Sequence, residues 1–389
     1  MKINKNLLLM AFSVALDLAE RRYISHSKHV GYISLQLCKK LKIENGRTMD
    51  IFHSALLHDI GVGDINLDAI NASDKLIKHC KEGKKLVSQL PLASKSANWI
   101  LYHHEHTDGS GPFGLKGKEI PIESRIIHIA DQFDILFYLK NEPYYKLKEM
   151  AKKWVEMHLN TWFDLEIGNA FLSIIETDRF WLDYQWKDFD FVLRREFNQD
   201  TIDLSTDDFI RFAEVFAAMI DNRSPFTHMH SRGLADKVLL VTEKFGYDKD
   251  KQKAMYAAAL LHDLGKMAVP NKLLDKPGAL TLEERFIINT HAYYTKIILE
   301  QIPNLKTFAS WAANHHERKN GQGYPEKLTE KDFSEEERIM AICDVYQALT
   351  EERPYRGAMK SKNAWEIIDN MVSNDLFDEK LVNRIKNIL

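Results

Sequence analysis

Apolar residues recur at helical spacing along most of the chain. In residues 49–60 and 254–264 they fall three or four positions apart, which places them on one face of a helix. Alternating apolar and polar positions, the pattern of strands, are scarce. Glycine and proline cluster in residues 109–117 and 321–325 and mark loops there. We therefore predict an all-α protein built from helical bundles.

Ten of the sixteen histidines follow one scheme that occurs twice. In each copy 32 residues separate the first two histidines, and 24 residues separate the third from the fourth. In chain order, the first copy contains His26, His58, Asp59, His79, His103, His104 and Asp131, and the second contains His230, His262, Asp263, His291, His315, His316 and Asp344. Such repeated spacing predicts two copies of one fold, each built around a metal site.

The repeat predicts two tandem domains, residues 1–200 and residues 201–389. Between them lies a polar stretch in which Ser205 is placed to cap the next helix. The apolar segment after Lys2 has the look of a signal peptide. However, it aligns with that next helix when the two copies are superimposed, so we expect a core helix.

Composition limits the partners. The formal net charge is −3, so no basic face for DNA or RNA is expected. The cysteines Cys38, Cys80 and Cys343 lie far apart and form neither a zinc nor a disulfide pattern, which favours a reducing cytoplasm. Beyond the N-terminal segment no run of about 18 apolar residues occurs, so we expect no membrane span.

The histidines and aspartates are suited to hydrolysis with metal ions, because imidazole and carboxylate groups bind divalent transition metals. The adjacent His262 and Asp263 diverge by about 100° on a helix, so they share one cavity only at a helix end or on different ions. Seven candidate ligands exceed the four of a zinc site. We infer at least two ions, bridged by Asp263, which suits phosphoester hydrolysis. Lys266 is our candidate for stabilising negative charge.

The second copy resembles the HD-GYP family of metal-dependent phosphohydrolases over about residues 210–360. The matching motifs are His230-Ser-Arg, Ala-Leu-Leu-His262-Asp263-Leu-Gly-Lys266-Met-Ala-Val-Pro270, Lys-Pro-Gly-Ala-Leu-Thr281, His315-His316-Glu-Arg-Lys-Asn-Gly-Gln-Gly323-Tyr324-Pro325, Ala-Ile-Cys-Asp344 and Arg353-Pro-Tyr-Arg356. The resemblance implies hydrolysis of a 3′,5′-cyclic dinucleotide, cyclic di-GMP or 3′3′-cyclic GMP-AMP, to a linear dinucleotide and often on to mononucleotide. It also implies iron or manganese.

The resemblance assigns roles to single residues. One ion would be held by His230, His262, Asp263 and Asp344, and the other by Asp263, His291, His315 and His316. Lys266 would contact the scissile phosphate. The substrate loop would contain Gly321, Gly323, Tyr324 and Pro325. Arg353 and Arg356 would touch phosphate or form surface salt bridges. Family members with a third ion carry Glu at the position of Phe226, so we expect two ions here.

The first copy keeps all seven ligand positions but departs elsewhere. Val62 stands where the second copy has Lys266, and Pro112-Phe113 replaces Tyr-Pro in the loop. We interpret it as a metal-capable domain that does not hydrolyse, because a lost cation costs several kcal/mol of transition-state stabilisation. The alternative is a structural relic whose histidines fill a polar core.

Two other functions remain open. The chain could be a cyclic-dinucleotide receptor with little turnover, or an HD hydrolase of mononucleotides. The complete ligand set with Lys266 favours the enzyme over the receptor, and the Gly-Tyr-Pro loop argues against mononucleotides. The first copy would regulate, stabilise or mediate association, with a homodimer or a signalling protein as its partner.

Overall fold

The computed structural model describes residues 3–20, 22–62, 72–91, 94–196, 203–223, 229–352 and 357–389. These residues form nineteen α-helices and one ribbon of two short strands, which confirms the predicted all-α class. They group into two compact units. The first unit is Leu16–Ile202, and the second unit is Asp203–Leu389 together with Met1–Ala15.

Residues 1–15, which the repeat groups with the first domain, belong to the second unit. Strand β1 (Ile3–Asn4) pairs antiparallel with strand β2 (Asp203–Leu204). Helix α1 (Lys5–Ala19) follows, and Phe12 on it stacks on Phe216 with 4.2 Å between ring centroids. Its apolar positions are buried, so it is the expected core helix. None of the described helices combines the length and apolar character needed to cross a membrane.

The first unit is completed by nine helices. They are α2 (His26–Lys40), α3 (Asn45–Leu56), α4 (Ala72–Gln89), α5 (Ala97–Leu101), α6 (Ile122–Phe137), α7 (Tyr144–His158), α8 (Leu165–Ile175), α9 (Asp178–Tyr184) and α10 (Phe189–Glu196). Phe133 on α6 lies 5.0 Å from Phe171 and 5.8 Å from Trp181, measured between ring centroids. The aromatic residues of α8 and α9 therefore complete the core around α6, which carries Asp131.

The second unit contains nine further helices. They are α11 (Thr206–Asp221), α12 (His230–Lys244), α13 (Lys249–Leu261), α14 (Asn271–Leu274), α15 (Leu282–Glu300), α16 (Lys306–Ala313), α17 (Glu335–Thr350), α18 (Ser361–Ser373) and α19 (Glu379–Lys386). Ser205 caps α11 as predicted, since its side chain accepts a hydrogen bond from the Asp208 backbone N–H at 3.1 Å. The helices α12, α13, α15, α16 and α17 surround the predicted ligand positions.

Candidate metal centres

The His-Asp pair of the second unit lies at a helix end. Helix α13 stops at Leu261, His262 forms its C-terminal cap, and Asp263 precedes a 3-10 turn over Leu264–Ala268. A Cβ atom on Gly265 would lie 1.9 Å from the carbonyl oxygen of His291, so only glycine lets this turn pack against α15. That packing brings His291 Nε2 to 3.3 Å from Asp263 Oδ1.

All seven residues predicted from the second copy are brought together. His262 Nε2 is 3.1 Å from Asp263 Oδ2, and His230 Nε2 is 3.2 Å from Asp344 Oδ1. Three overlapping groups have ligand atoms within 4.8 Å of one another: His230, His262 and Asp344; His262, Asp263 and His315; His291, His315 and His316. We call these seven residues the second centre.

Hydrogen bonds to the backbone fix the ring orientation of three histidines in the second centre. Each Nδ1 lies 2.6–2.8 Å from the carbonyl oxygen three residues earlier in His262, His291 and His315. A carbonyl oxygen only accepts, so Nδ1 carries a proton and Nε2 is the ring nitrogen that faces the centre. Among the described residues, Asp263 Oδ1 is buried without a hydrogen-bond donor. This donor set fits a divalent transition metal.

Burial sets the protonation states. It lowers the pKa of His291 to about 4 and that of His315 to about 3, so both rings are neutral at pH 7. Burial also opposes ionisation of Asp263, but His262 and Lys266 outweigh it and hold the pKa of that carboxyl well below its usual range. Neutral imidazole and ionised carboxylate are the forms that bind metal.

Glu351 holds His230 from outside the centre and has no predicted role. Its Oε2 lies 2.8 Å from His230 Nδ1. Burial alone would lower the pKa of His230, but the hydrogen bonds with Asp344 and Glu351 raise it to about 10. A metal bound by Nε2 would therefore displace a proton from this ring.

Lys266 lies beside the centre, as predicted. Its Nζ is 2.5 Å from Asp263 Oδ2. Arg223 positions the turn that carries it, since Nη1 donates to the carbonyl oxygens of Met267 at 2.6 Å and Lys266 at 3.1 Å. A cavity of about 320 Å³ opens over Lys266 and the centre. Its lining also includes Lys276 and the apolar side chains of Leu273, Leu274, Leu280 and Ile288.

The predicted substrate loop lies next to the centre. The rings of Tyr324 and His316 are 4.8 Å apart between centroids, and the Tyr324–Pro325 peptide bond is cis. A Cβ atom on Gly323 would lie 2.4 Å from Glu317 Cα, so this position requires glycine. Gly321 has a φ of 74°, in the left-handed region that favours glycine.

Glu317 anchors that loop and has no role predicted from the sequence. It is fully buried, and its carboxylate accepts hydrogen bonds from three successive backbone N–H groups, at 2.6, 3.1 and 2.9 Å. The signal was its position directly after the adjacent histidine pair in both copies. Arg353, Arg356 and Phe226 lie outside the described residues.

The first unit repeats the geometry. His26 Nε2 is 3.2 Å from Asp131 Oδ1, His58 Nε2 is 3.2 Å from Asp59 Oδ2, and His79 Nε2 is 3.4 Å from Asp59 Oδ1. Two groups have ligand atoms within 4.8 Å of one another: Asp59, His79, His103 and His104; His26, His58 and Asp59. With Asp131 these residues form the first centre, which contains all seven positions predicted from the first copy.

The surroundings of the first centre differ from those of the second. Asp134 replaces Glu351 as the partner of the first histidine, with its Oδ2 2.6 Å from His26 Nδ1. The cationic group is also different. Val62 occupies the lysine position, but Arg22 reaches the centre from the turn before α2, and its Nε is 3.7 Å from Asp59 Oδ2.

Comparison with known proteins confirms the resemblance. The HD domain family matches residues 11–167 and again residues 214–381, so the repeat is a repeat of this domain. The chain belongs to the HD domain family. Membership in this family implies a divalent metal ion, and the two centres provide clusters of histidine and aspartate side chains that fit one.

Relatives of this HD-domain chain carry related names. A 3′3′-cGAMP-specific phosphodiesterase 1 of Vibrio cholerae is 28% identical over 97% of this chain and 90% of its own length. A second protein of the same organism, 3′3′-cGAMP-specific phosphodiesterase 3, is 32% identical over 77% of this chain and 64% of its own length. A cyclic di-GMP phosphodiesterase of Pseudomonas aeruginosa is 34% identical, over 40% of this chain and 37% of its own length.

A solved structure shows the same fold. The crystal structure of a cyclic GMP-AMP-specific phosphodiesterase of V. cholerae matches with a TM-score of 0.74 and 24% identity. The match covers 100% of this chain and 98% of the other. The architecture of two successive HD-type helical bundles is therefore confirmed.

Proposed function

We propose that the second unit of this chain hydrolyses a phosphodiester bond of a 3′,5′-cyclic dinucleotide. The chain is a phosphodiesterase of this class, like the relatives named above. The observation that supports the location is that Lys266 lines one cavity together with six of the seven residues of the second centre: His230, His262, Asp263, His315, His316 and Asp344. The neutral imidazole of His315 and the ionised carboxylate of Asp263 give that cavity donors that a metal requires.

The ligands divide as the family resemblance implies. His230, His262, Asp263 and Asp344 would hold one ion, and Asp263, His291, His315 and His316 would hold the second. Iron or manganese would occupy these positions, and two such ions would supply positive charge to the phosphate and lower the pKa of water. The Lys266 ammonium, 2.5 Å from Asp263 Oδ2, turns to an oxygen of the scissile phosphate when substrate enters.

The remaining cavity positions the substrate. Tyr324 lies beside His316 and contacts the nucleotide from the loop side, together with Gly321, Gly323 and Pro325. The leucine and isoleucine side chains that line the cavity exclude water from the reacting phosphate. Arg353 and Arg356 complete the phosphate contacts in this proposal.

Cyclic di-GMP and 3′3′-cyclic GMP-AMP are the candidate substrates. The alignment with a cGAMP-specific relative along 97% of the chain supports the second. The test is to load the full chain anaerobically with Fe(II) or Mn(II), supply each nucleotide, and measure linear product by chromatography, with Asp263→Ala as the control. Binding of either nucleotide without product would instead identify a receptor.

The first unit has a supporting role in this proposal. The first unit is a metal-capable domain that regulates the second unit without hydrolysing, through a homodimer contact or a signalling protein. The lysine position of the first centre holds Val62, which supports the absence of hydrolysis there. Three buried free cysteines support a reducing cytoplasm as the location.

A further inference from the structure

In each centre a cationic side chain lies near the Oδ2 atom of the aspartate in the His-Asp pair, but the two cations come from different parts of the chain. Lys266 Nζ lies 2.5 Å from Asp263 Oδ2 and comes from the turn after the His-Asp pair. Arg22 Nε lies 3.7 Å from Asp59 Oδ2 and comes from the turn before α2. We propose that Arg22 makes the first centre a second binding site for a phosphate ester.

The Arg22 guanidinium is available for a ligand. Its Nε donates to Glu20 Oε2 at 2.7 Å, and the 3.7 Å to Asp59 is longer than a hydrogen bond. Its terminal nitrogens donate no hydrogen bond to the part of the chain that the structure describes, and the side chain is 27% exposed. Two adjacent guanidinium N–H groups match two oxygens of one phosphate.

A second observation also indicates a ligand here. Among the described residues, four buried imidazole nitrogens of the first centre have no hydrogen-bond partner: Nε2 of His26, His58, His79 and His103. Burying such groups unsatisfied is costly, so the cluster is built for a metal ion. An anion that meets both the ion and the guanidinium would be held at two points, as phosphate is at such sites.

The ligand class is a phosphate group, either in a cyclic dinucleotide or as free inorganic phosphate. The inference rests on the proposal that the first centre holds metal, and it extends the ligand of the second centre to the first. Arg22 is a binding residue here, because the first unit is proposed to bind metal without hydrolysing.

The experiment uses the full chain with the second centre disabled by Asp263→Asn and Lys266→Ala. In this background Arg22→Met removes the charge, Arg22→Lys keeps it, and Arg194→Met removes one exposed charge from the same unit as a control. After manganese loading, binding of cyclic di-GMP, cyclic GMP-AMP and inorganic phosphate is measured by calorimetry. Bound metal is counted by atomic emission.

We expect Arg22→Met to weaken binding roughly 10- to 100-fold, as loss of a hydrogen bond to a charged group does. Arg22→Lys should restore most of it, and Arg194→Met should change nothing. Bound metal should stay the same in all of these variants. Binding of inorganic phosphate but of neither nucleotide, with the same dependence on Arg22, would support the site and identify free phosphate as its ligand.

The inference is overturned if Arg22→Met binds all three ligands as its background does, if the background binds none of them, or if Arg22→Met loses its metal. These outcomes are separate from those for the proposed function, which depends on product formation by the unsubstituted chain. A chain that hydrolyses nothing but binds phosphate through Arg22 would contradict only the proposed function.

Discussion

Gly265 and His291 approach so closely that a Cβ atom on Gly265 would lie 1.9 Å from the His291 carbonyl oxygen. Gly61 and His79 repeat this relationship in the first unit at 2.1 Å. In the second unit Thr295 secures the contact, since its hydroxyl accepts from the Gly265 N–H at 2.8 Å and donates to the His262 carbonyl oxygen at 2.9 Å. A residue that binds nothing therefore sets the distance between two candidate metal ligands.

Gly265→Ala should separate His291 from Asp263. The added methyl group has no room, so the turn must move away from α15, at a cost of about 1–3 kcal/mol of stability. We expect less bound metal and a lower rate of product formation. Gly357→Ala is the matched control, because nothing lies within 4 Å of a Cβ atom there. Equal metal content in both variants would contradict this account of the turn.

The sequence predicted which histidine and aspartate residues come together in both centres, because the motifs that contain them are set by local geometry. A His-Asp pair at a helix end and a histidine pair at a turn keep their register when the fold is duplicated, so the repeat makes them visible. The all-α class followed in the same way from helical periodicity.

Other features depend on tertiary placement and left no pattern to read. Arg22 reaches Asp59 only because the turn before α2 folds back on the His-Asp pair. Glu351 and Asp134 hold the first histidine of each centre from different positions along the chain, so comparison of the copies does not reveal them. The grouping of residues 1–15 with the second unit depends on strand pairing between residues about 200 apart.

Asp263→Ala and Asp59→Ala should separate the roles of the two centres. Asp263 contributes to both proposed ions of the second centre, so Asp263→Ala should abolish turnover and lower the metal content. Asp59→Ala should leave most of the activity. Product formation and metal per chain are measured on the full chain, and circular dichroism confirms the fold. Loss of activity in folded Asp59→Ala would show that the division of labour is wrong.

Lys266→Ala should slow the reaction while the metal stays bound. Loss of a preorganised donor to the transition state lowers kcat by about 100- to 1,000-fold. Lys266→Arg should recover part of that loss, because the charge remains. Lys244→Ala, on the exposed last turn of α12, is the control and should match the unsubstituted chain. An unchanged kcat in Lys266→Ala would remove this lysine from the mechanism.

Glu317→Gln should loosen the substrate loop. The buried carboxylate accepts three backbone hydrogen bonds, and an amide replaces one acceptor oxygen with a donor, which costs about 1–3 kcal/mol. We expect a higher KM with little change in bound metal.

Glu105→Gln is the counterpart in the first unit, where the carboxylate accepts hydrogen bonds from the Phe113 and Leu115 N–H groups, both at 2.6 Å. It should destabilise that unit and leave KM unchanged, and a KM raised equally by both substitutions would contradict a local effect.

His128 should make the first unit sensitive to acid. Its Nδ1 donates to the His103 carbonyl oxygen at 3.1 Å, and burial lowers its pKa to about 4. As the pH falls, the unfolded chain takes up this proton near pH 6.5, before the folded chain does. The contribution of neutral His128 to the free energy of unfolding is therefore fully present above that pH and is lost as the pH falls towards 4. Between pH 7 and pH 5 this loss amounts to about 2 kcal/mol for one such group.

His128→Phe should remove that part of the decline. Urea unfolding of the metal-free chain, followed by tryptophan fluorescence, tests it, because five of the seven tryptophans lie in the first unit. The same decline with pH in both proteins would rule out His128 as its source.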